Sequence, residues 1–403
     1  MKKIERNISL DYLFTFIKNL DMSSSIWVLY LAYRGMSLLE IGLLEGIYHI
    51  TSMLFEVPSG AVADMFGRKK TVVAGRILLT VSCMIMLFSE NFWSFALGFL
   101  VQAVSYNLNS GSEEALLYDS MKLCGREKDF LKVSGRLNVL IEVAQAIATV
   151  TGGILAEYSY TWCYLACILV ALLGLATALF LTEPPFSEEG TDGIAENCFQ
   201  QEKKTPITLK EKLRTHFYIS WRVLKESRSI RRLVGYYSLI FAAQTVLYFY
   251  SQQYYFSYGM NKIQISVVML FVGIISCLGA LCSERLYVMA GEKIVVASAV
   301  VMALCMAAFG LGSLPVAIGA LLVSNFCNSL LYPVQSITLN RLIPSRQRAT
   351  LISVNSMAFS VFMILLFPLV GALADVFSLE TVFWWLGLIL AIVMLIFRER
   401  LEK

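Results

Sequence analysis

Long apolar segments recur along almost the whole chain, and this repetition restricts the possible folds more than any other feature. The sequence has 403 residues, of which 57% are hydrophobic and only 15% charged. A soluble domain carries about 25% charged residues, whereas a helix needs about 20 mostly apolar residues to cross a bilayer. The chain is therefore predicted to be an all-α integral membrane protein without a large soluble domain.

Twelve transmembrane helices are predicted from the lengths of the apolar segments and the polar loops between them. The first apolar segment has no small-residue cleavage site, so we expect it to remain as span one rather than to leave as a signal peptide. The spans cover residues 9–33, 37–66, 71–90, 92–121, 131–156, 160–182, 231–257, 262–284, 292–312, 314–340, 348–374 and 378–398.

The longest polar stretch lies between spans six and seven and divides the chain into three predicted parts. These are a first six-helix bundle over 1–182, a cytoplasmic linker over 183–230 and a second six-helix bundle over 231–403. Within the linker, leucine and aromatic residues recur every three or four positions over 208–226, with lysine and arginine between them. This pattern is typical of a basic amphipathic helix on a membrane surface, and a solvated linker helix fits it nearly as well.

Lysine and arginine are concentrated in one set of predicted loops, including "GRKK" (67–70) and "SRQR" (345–348). The opposite loops, such as "EYSY" and "GSLP", are almost free of basic residues. Because loops rich in basic residues stay on the cytoplasmic side, both termini and the linker are expected to face the cytoplasm. The compact loops are typical of a bacterial plasma-membrane protein, and the net charge of +4 is too small to predict nucleic-acid binding.

An internal repeat and one loop motif relate the chain to a known family. The segment "GGILAE" (152–157), at the end of span five, resembles "VGALAD" (370–375) at the end of span eleven. The loop after span two, "GAVADMFGRKK", resembles the cytoplasmic signature of the major facilitator superfamily, and bacterial small-molecule efflux members in particular. The residues that match the signature are Gly60, Asp64, Gly67, Arg68 and Lys69.

This resemblance covers essentially the whole chain and implies two pseudo-symmetric six-helix bundles with a substrate site between them near mid-membrane. It also implies that the loop motif is a cytoplasmic gate that holds the outward-facing state, in which Arg68 pairs with Asp119 at the end of span four. The alternative for Asp119 is that it ends its span in water. Gly60 would let neighbouring helices approach closely. The antiporter signature of span five is only partly present, because its proline is missing.

Ionisable residues inside the predicted spans are candidates for function, and for proton coupling in particular, since each costs about 2.5–3.5 kcal/mol to place at mid-membrane. Nearly all of them lie in the first half. In spans two, four and five they lie together with neutral polar residues on single helical stripes, which are expected to face an aqueous cavity. The candidates are Asp11, Lys18 and Asp21 in span one, Glu45, His49 and Glu56 in span two, Glu113 and Glu114 in span four, and Glu142 in span five.

Lys18 and the adjacent acids Glu113 and Glu114 are predicted to lie at the same membrane depth. Lys18 is about nine residues from the start of its span, and the acids are about seven or eight from the end of theirs, at 1.5 Å per residue. One glutamate is therefore expected to pair with Lys18, and the other to carry a proton. The sequence leaves open which glutamate has which role, and a purely structural helix contact remains an alternative for one of them.

Glu45 and His49, spaced four residues apart, admit three interpretations. Two ligands on one helix make a weak metal site, so no metal and no cofactor are predicted. A hydrogen-bonded pair in a proton path fits better, and a purely structural pair fits best.

The second half offers neutral polar and aromatic side chains on two predicted spans instead of charges. Amides and aromatic rings suit a flat or amphiphilic organic molecule, and aromatic helix packing is the alternative. The substrate-binding candidates are Tyr237, Gln244 and Tyr248 in span seven, and Asn325, Asn328, Tyr332 and Gln335 in span ten.

Together these features predict a monomeric secondary active transporter that exports a small amphiphilic organic compound in exchange for protons. Proton-coupled uptake of a sugar or another metabolite is the first alternative. A receptor or scaffold on the same fold is a second, but it would not need ionisable stripes inside the membrane. An enzyme is disfavoured, because the sequence has no nucleophile–base constellation and no glycine-rich phosphate loop.

Overall fold

The computed structural model describes residues 2–184, 225, 228–341 and 348–401. These residues are helical apart from short connections, and none of them forms a strand. The surface helix predicted over 208–226 lies outside the described residues, apart from Lys225, so the structure does not test it.

Thirteen helices occur in the described residues, and two single 3₁₀ turns cover Glu127–Asp129 and Phe309–Leu311. Eleven of the twelve predicted spans coincide with one helix each. In chain order the helices are α1 (Lys2–Lys18), α2 (Trp27–Tyr33), α3 (Leu38–Phe66), α4 (Arg68–Phe88), α5 (Phe92–Leu123), α6 (Phe130–Tyr158), α7 (Tyr160–Phe180), α8 (Arg228–Ser257), α9 (Lys262–Ala290), α10 (Lys293–Ala308), α11 (Leu314–Arg341), α12 (Arg348–Phe377) and α13 (Leu379–Leu401).

The first span is interrupted, so the prediction of one continuous helix over 9–33 is wrong. Local side-chain hydrogen bonds compete with the helical ladder in the polar stretch between α1 and α2. Asn19 Nδ2 donates to the Thr15 carbonyl at 2.7 Å. Asp21 Oδ1 accepts from the backbone N of Ser23 at 3.0 Å and from its Oγ at 2.6 Å. These side chains bond to nearby backbone and hydroxyl groups in the stretch where the helix is interrupted.

Ten helices of the described part are long and apolar enough to cross a membrane by length and composition. The other two predicted spans are α5 and the interrupted α1–α2 pair. The helices α1 and α2 are too short, with 17 and 7 residues, whereas α5 is long enough but carries polar and ionisable residues that include Glu113 and Glu114. The spans that are least like lipid-facing helices are therefore those with the richest candidate chemistry.

The starts of α3, α5 and α9 are fixed by capping boxes. Ser37, Asn91 and Asn261 each accept a hydrogen bond from the backbone N three residues later, and the side chain of that later residue bonds back to the cap. Each box satisfies two backbone groups at a helix start. All three starts lie on the face of the bundle opposite the chain termini, which we call the far face.

The two halves contact each other through α3 against α12 and α6 against α9. At the far face, the Asp375 carboxylate at the end of α12 accepts hydrogen bonds from the backbone N of Leu38 at 3.0 Å and of Leu39 at 2.9 Å. Glu157 at the end of α6 accepts one from the backbone N of Lys262 at 2.9 Å. A carboxylate of one half thus caps a helix of the other half at two places.

Glycines allow the backbones to approach at these two caps. A Cβ on Gly371 would overlap the backbone of Leu38, and a Cβ on Gly153 would overlap the side chain of Ser266. Both glycines belong to the repeated segments, "VGALAD" and "GGILAE". The repeat seen in the sequence therefore marks two equivalent contacts between the halves, and both lie at the far face.

Candidate functional site

A cavity of about 590 Å³ opens within the first half of the chain. All of its lining residues lie between Asp11 and Ala171, so none comes from the second half. Its size is in the range of small-molecule pockets, which are about 300–1,000 Å³. The acidic and basic residues that line it are Asp11, Lys18, Asp21, Arg76, Glu113 and Glu114.

Lys18 and Glu113 form an ion pair across α1 and α5, in which the ammonium donates to Oε2 of the carboxylate. The other carboxylate oxygen, Oε1, accepts from the Thr15 hydroxyl at 3.3 Å. Glu113 is buried, whereas Glu114 is exposed and lines the cavity. The geometry therefore distinguishes the two adjacent acids, because one has protein partners for both oxygens and the other faces the cavity.

Arg76 on α4 also lines the cavity, and the sequence analysis missed it. Only 5% of its surface is exposed, and its Nε has no hydrogen-bond partner. The guanidinium carbon lies 5.0 Å from the centroid of the Phe14 ring, and Lys18 Nζ lies 5.9 Å from the same centroid. A lone arginine in the middle of an apolar segment was the available signal, by the same reasoning that singled out Lys18.

Asp11 shares one face of α1 with Thr15 and Lys18, at spacings of four and three residues. Its exposed fraction is 2%, and its Oδ1 has no hydrogen-bond partner. Asp11 and Arg76 are therefore both buried, both line the cavity and both have a polar atom that the described protein does not satisfy.

Asp21 and Glu142 have different surroundings, although the sequence suggested both as proton carriers. Asp21 lies in the interruption between α1 and α2 and lines the cavity, with its Oδ1 4.0 Å from Cys167 Sγ. Glu142 is exposed and does not line the cavity. Its Oε2 lies 3.7 Å from the Sγ of Cys277 on α9 of the other half.

The acidic stripe of α3 lies against the second half rather than in the cavity. His49 Nε2 lies 3.5 Å from Glu45 Oε1, and His49 Nδ1 lies 3.3 Å from the hydroxyl of Ser360 on α12. Glu56 accepts from the Ser353 hydroxyl at 3.3 Å. This stripe is predicted to face an aqueous cavity. In this conformation α3 packs Glu45 and His49 on α12, whereas Glu56 also lines a second, smaller cavity.

Arg68 lies at the start of α4 and joins three parts of the chain. Its side chain forms an ion pair with Asp119 on α5 and donates to the Ala115 carbonyl at 2.7 Å. Its backbone N donates to Glu183 Oε1 at 2.8 Å, and the backbone N of Lys69 donates to Glu183 Oε2 at 2.7 Å. Glu183, predicted as the first residue of the linker, therefore caps the start of α4, a role that its sequence position does not indicate.

A second, smaller cavity of about 380 Å³ lies between α3 and α5 beside Arg68. It is lined by Gly60 and Asp64 of the loop motif, and by Glu56. A Cβ on Gly60 would meet no atom within 4 Å. The predicted close helix approach at Gly60 is therefore absent in this conformation, because the cavity separates the two helices there.

None of the seven substrate-binding candidates of the second half lines either cavity. Gln244 on α8 accepts from the Ser324 hydroxyl on α11 and is buried. Gln335 Nε2 donates to Asn355 Oδ1 at 2.8 Å, which joins α11 to α12. Several of these side chains therefore contribute to helix packing. The positions of the rest range from the buried Tyr237 and Asn325, through the half-buried Tyr248 and Asn328, to the exposed Tyr332.

Comparison with known sequences finds a family and several relatives. A sequence model described as "Major Facilitator Superfamily" matches residues 12–314 and 288–403. An uncharacterized transporter of this type from Bacillus subtilis, YxaM, is 27% identical over 184 residues, which are 45% of each chain. The inner membrane transport protein YajR of Escherichia coli is 30% identical over 127 residues, 32% of this chain and 27% of YajR. The matches thus span less than half the length of these curated relatives.

Solved structures share the fold over almost the whole chain at low sequence identity. A point mutant of the nucleoside transporter NupG is similar with a TM-score of 0.81, 13% identity and coverage of 98% of this chain and 99% of that one. A D-xylose–proton symporter is similar with a TM-score of 0.66, 16% identity and coverage of 97% and 96%. A bacterial homologue of the human lysosomal transporter Spinster, crystallised inward-facing, gives 0.70 with 14% identity and coverage of 98% and 94%.

Proposed function

Since the chain belongs to the Major Facilitator Superfamily, we propose that it is a proton-coupled secondary transporter that exports a small organic compound across a bacterial plasma membrane. The observation that carries this proposal is the asymmetry between two adjacent acids. Glu113 is neutralised by Lys18, whereas Glu114 is exposed to the same cavity. A carboxyl group that faces water can gain and lose protons during a transport cycle, and a buried, paired one is held in place.

In this proposal Glu114 carries the proton, and Lys18 with Glu113 keeps α1 and α5 in register. Asp21 is the second choice for the proton carrier, because it also lines the cavity. Glu45, His49 and Glu56 have a different proposed role. His49 and Glu56 contact α12 of the other half, so movement of α3 against α12 would change the surroundings of this stripe. Glu142 likewise contacts a helix of the other half, through Cys277 on α9.

Movement between conformations is proposed to depend on the ends of the bundle. The two bundles over 1–182 and 231–403 would rock about the substrate, with the linker over 183–230 and both termini in the cytoplasm. The far face is closed by the Asp375 and Glu157 caps, so it would be the outer face and this conformation would be inward-facing. The cytoplasmic gate would comprise Arg68 and Asp119 with the cap from Glu183. Arg68 and Asp119 are already paired in this conformation, within the first half, so in this proposal their pair is not specific to the outward-facing state that the family resemblance implies.

The remaining substrate contacts are proposed to come from the second half when the halves rock together. Tyr248 and Asn328 are the candidates with partly exposed side chains on α8 and α11, and Tyr332 is exposed. The buried Tyr237, Gln244, Asn325 and Gln335 would then shape these helices rather than touch the ligand. The protein is proposed to do this as a monomer, since each chain holds both halves.

Proton flux in everted membrane vesicles tests this proposal. Vesicles from cells that make the protein are energised to an acidic interior, and a panel of organic acids, amines and neutral compounds is added while the interior pH is followed with a dye. We expect at least one compound to cause proton efflux that vesicles without the protein do not show. Absence of such flux across the panel, with the protein present in the membrane, would contradict proton-coupled export.

Proton-coupled uptake of a polar metabolite is the second candidate, and the lining of the cavity favours it. More than half of the residues that line the cavity are polar or charged, among them the amides Asn19, Gln102 and Asn138, whereas a drug-export pocket is expected to have fewer polar groups. The fold also resembles a nucleoside transporter and a D-xylose–proton symporter. Right-side-out vesicles distinguish the two directions, because uptake would accumulate a labelled compound when the outside is acidic.

A further inference from the structure

We propose that the cavity of the first half binds a ligand that carries a carboxylate group, with Arg76 as the ion-pair partner of that carboxylate. This inference rests on the proposed function, because it takes the bound ligand to be the transported compound. It deepens that function by naming the substrate class, a small organic acid.

Arg76 is a buried cation that forms no ion pair with the described part of the chain. Glu113, an acid of the same cavity, directs one oxygen to Lys18 and the other to Thr15. No described carboxylate lies within ion-pair distance of Arg76. An uncompensated buried charge is costly, so a chain that keeps this arginine is expected to gain its partner from elsewhere.

Two cations lie beside the ring of Phe14. Lys18 and Arg76 both lie near the ring of this buried phenylalanine, and Glu113 neutralises only one of the two cations. Asp11 also lines the cavity with an unsatisfied Oδ1, but neither it nor Glu113 lies within ion-pair distance of Arg76. A guanidinium offers a planar fork of donors that matches the two oxygens of a carboxylate, and the side chain lines an open cavity where such a ligand can reach it.

Two further acids of the cavity, Asp21 and Glu114, set the expected orientation of the ligand. Asp21 is next to α7, through its contact with Cys167, and Glu114 is on α5. Both would repel a carboxylate placed beside them. The carboxylate is therefore expected at Arg76, and the organic body is expected to extend toward Asp21 and Glu114, where an amine or hydroxyl of the ligand can donate hydrogen bonds.

The room available limits the size of the acid. A cavity of about 590 Å³ can hold an organic acid with a single ring or a chain of several carbons. Leu79, Ile141 and Val170 add apolar surface to its wall, which suits such a body.

Matched pairs of acids and amides test the inference on the full-length protein in lipid nanodiscs, without any proton gradient. The probes are benzoate with benzamide, phenylacetate with phenylacetamide, indole-3-acetate with indole-3-acetamide, and hexanoate with hexanamide. Each amide keeps the shape of its acid and removes the charge. We expect at least one acid to bind about tenfold more tightly than its amide, as loss of a charge-assisted hydrogen-bond pair implies.

Arg76→Gln should reduce that preference to less than about twofold, while the affinity for the amide stays nearly constant. Arg34→Gln is the matched control, because it removes the same charge from the same half. Arg34 does not line the cavity, and its guanidinium donates to the Leu87 carbonyl at 2.8 Å. The acid preference should survive in this control.

Two results would overturn the inference: no acid preference in the unaltered protein for any pair, or a preference that persists in Arg76→Gln. If Arg76→Gln does not fold, the preference for acid over amide is measured in Arg76→Lys instead. It keeps the charge but loses the planar fork, so the preference should fall, and an unchanged preference would count against Arg76. Acid binding without proton-driven flux would contradict only the proposed coupling, and flux without acid preference would contradict only this inference.

Discussion

Glu157 and Asp375 occupy equivalent places in the two halves, and each caps the start of a helix that belongs to the other half. Glu157 bonds to the backbone N of Lys262, and Asp375 bonds to those of Leu38 and Leu39. A carboxylate at a helix N-terminus stabilises it by about 0.3–2 kcal/mol. Two such caps at one face would favour the conformation that is closed there.

Asp375→Asn should open the start of α3 more often. The amide weakens the charge–dipole attraction, so hydrogen exchange at the backbone of Leu38 and Leu39 should become several-fold faster. Glu157→Gln should have the same effect at Lys262. Hydrogen exchange followed by mass spectrometry measures both. Glu380→Gln, in the first turn of α13, is the control and should leave all three amides unchanged; equal exchange in every variant would show that the caps do not hold the far face.

The gate is expected to depend on Glu183 as well as on Asp119. Glu183→Gln weakens the cap on α4, and Asp119→Asn breaks the ion pair with Arg68. Both variants should slow transport several-fold and change the affinity for ligand little, because they alter the balance between conformations rather than the cavity. Transport assays in vesicles and binding assays in nanodiscs separate these effects. Loss of binding in proportion to transport would place the gate residues in the ligand path.

The pair of Lys18 and Glu113 is expected to stabilise the first half. Glu113→Gln leaves the ammonium of Lys18 without its partner. Breaking a fully buried pair costs about 3–5 kcal/mol, and the loss here should be smaller because the Lys18 side chain is 24% exposed. Yield and thermal stability should fall sharply, and Lys18→Met should restore part of both. Glu114→Gln is the matched control, since it makes the same change one residue away. Equal stability of the two glutamine variants would mean that the ion pair contributes little.

The outer and inner faces can be assigned by protease protection. Epitope tags at Lys403 and within 190–200 should both be protected in intact cells and cleaved in permeabilised ones, because both termini and the linker are expected in the cytoplasm. A tag inserted after Gly312, in the turn between α10 and α11, should be cleaved from outside. External cleavage at Lys403 or in the linker would reverse the assignment of the faces.

Much of the architecture could be predicted from the sequence, because apolar length is a local property. Eleven of the twelve predicted spans coincide with helices. The prediction of one continuous first span was wrong, and the reason is also local. Apolar length alone does not register the hydrogen bonds that Asn19, Asp21 and Ser23 make with nearby backbone and side chains. The interruption was therefore visible in the residue types but not in the hydropathy.

The candidate site was harder to predict, because it depends on contacts between distant segments. The depth argument placed Lys18 beside the two glutamates, but only the packing of α1 on α5 separates Glu113 from Glu114. Glu183 caps a helix start more than a hundred residues earlier in the chain, and no local pattern marks it. Arg76 was missed for another reason: it is one charge in an apolar segment, whereas the other candidates stood out as stripes of several.

The role of Glu114 is the central claim, and the ratio of two transport rates in Glu114→Gln tests it most directly. The measurement uses the compound that gives the largest proton flux with the unaltered protein, in vesicles that contain either form. Glutamine imitates a permanently protonated acid, so exchange of labelled for unlabelled compound should continue while accumulation driven by the proton gradient is lost. Gradient-driven accumulation at the unaltered rate in Glu114→Gln would contradict the account, and Asp21 would become the favoured proton carrier.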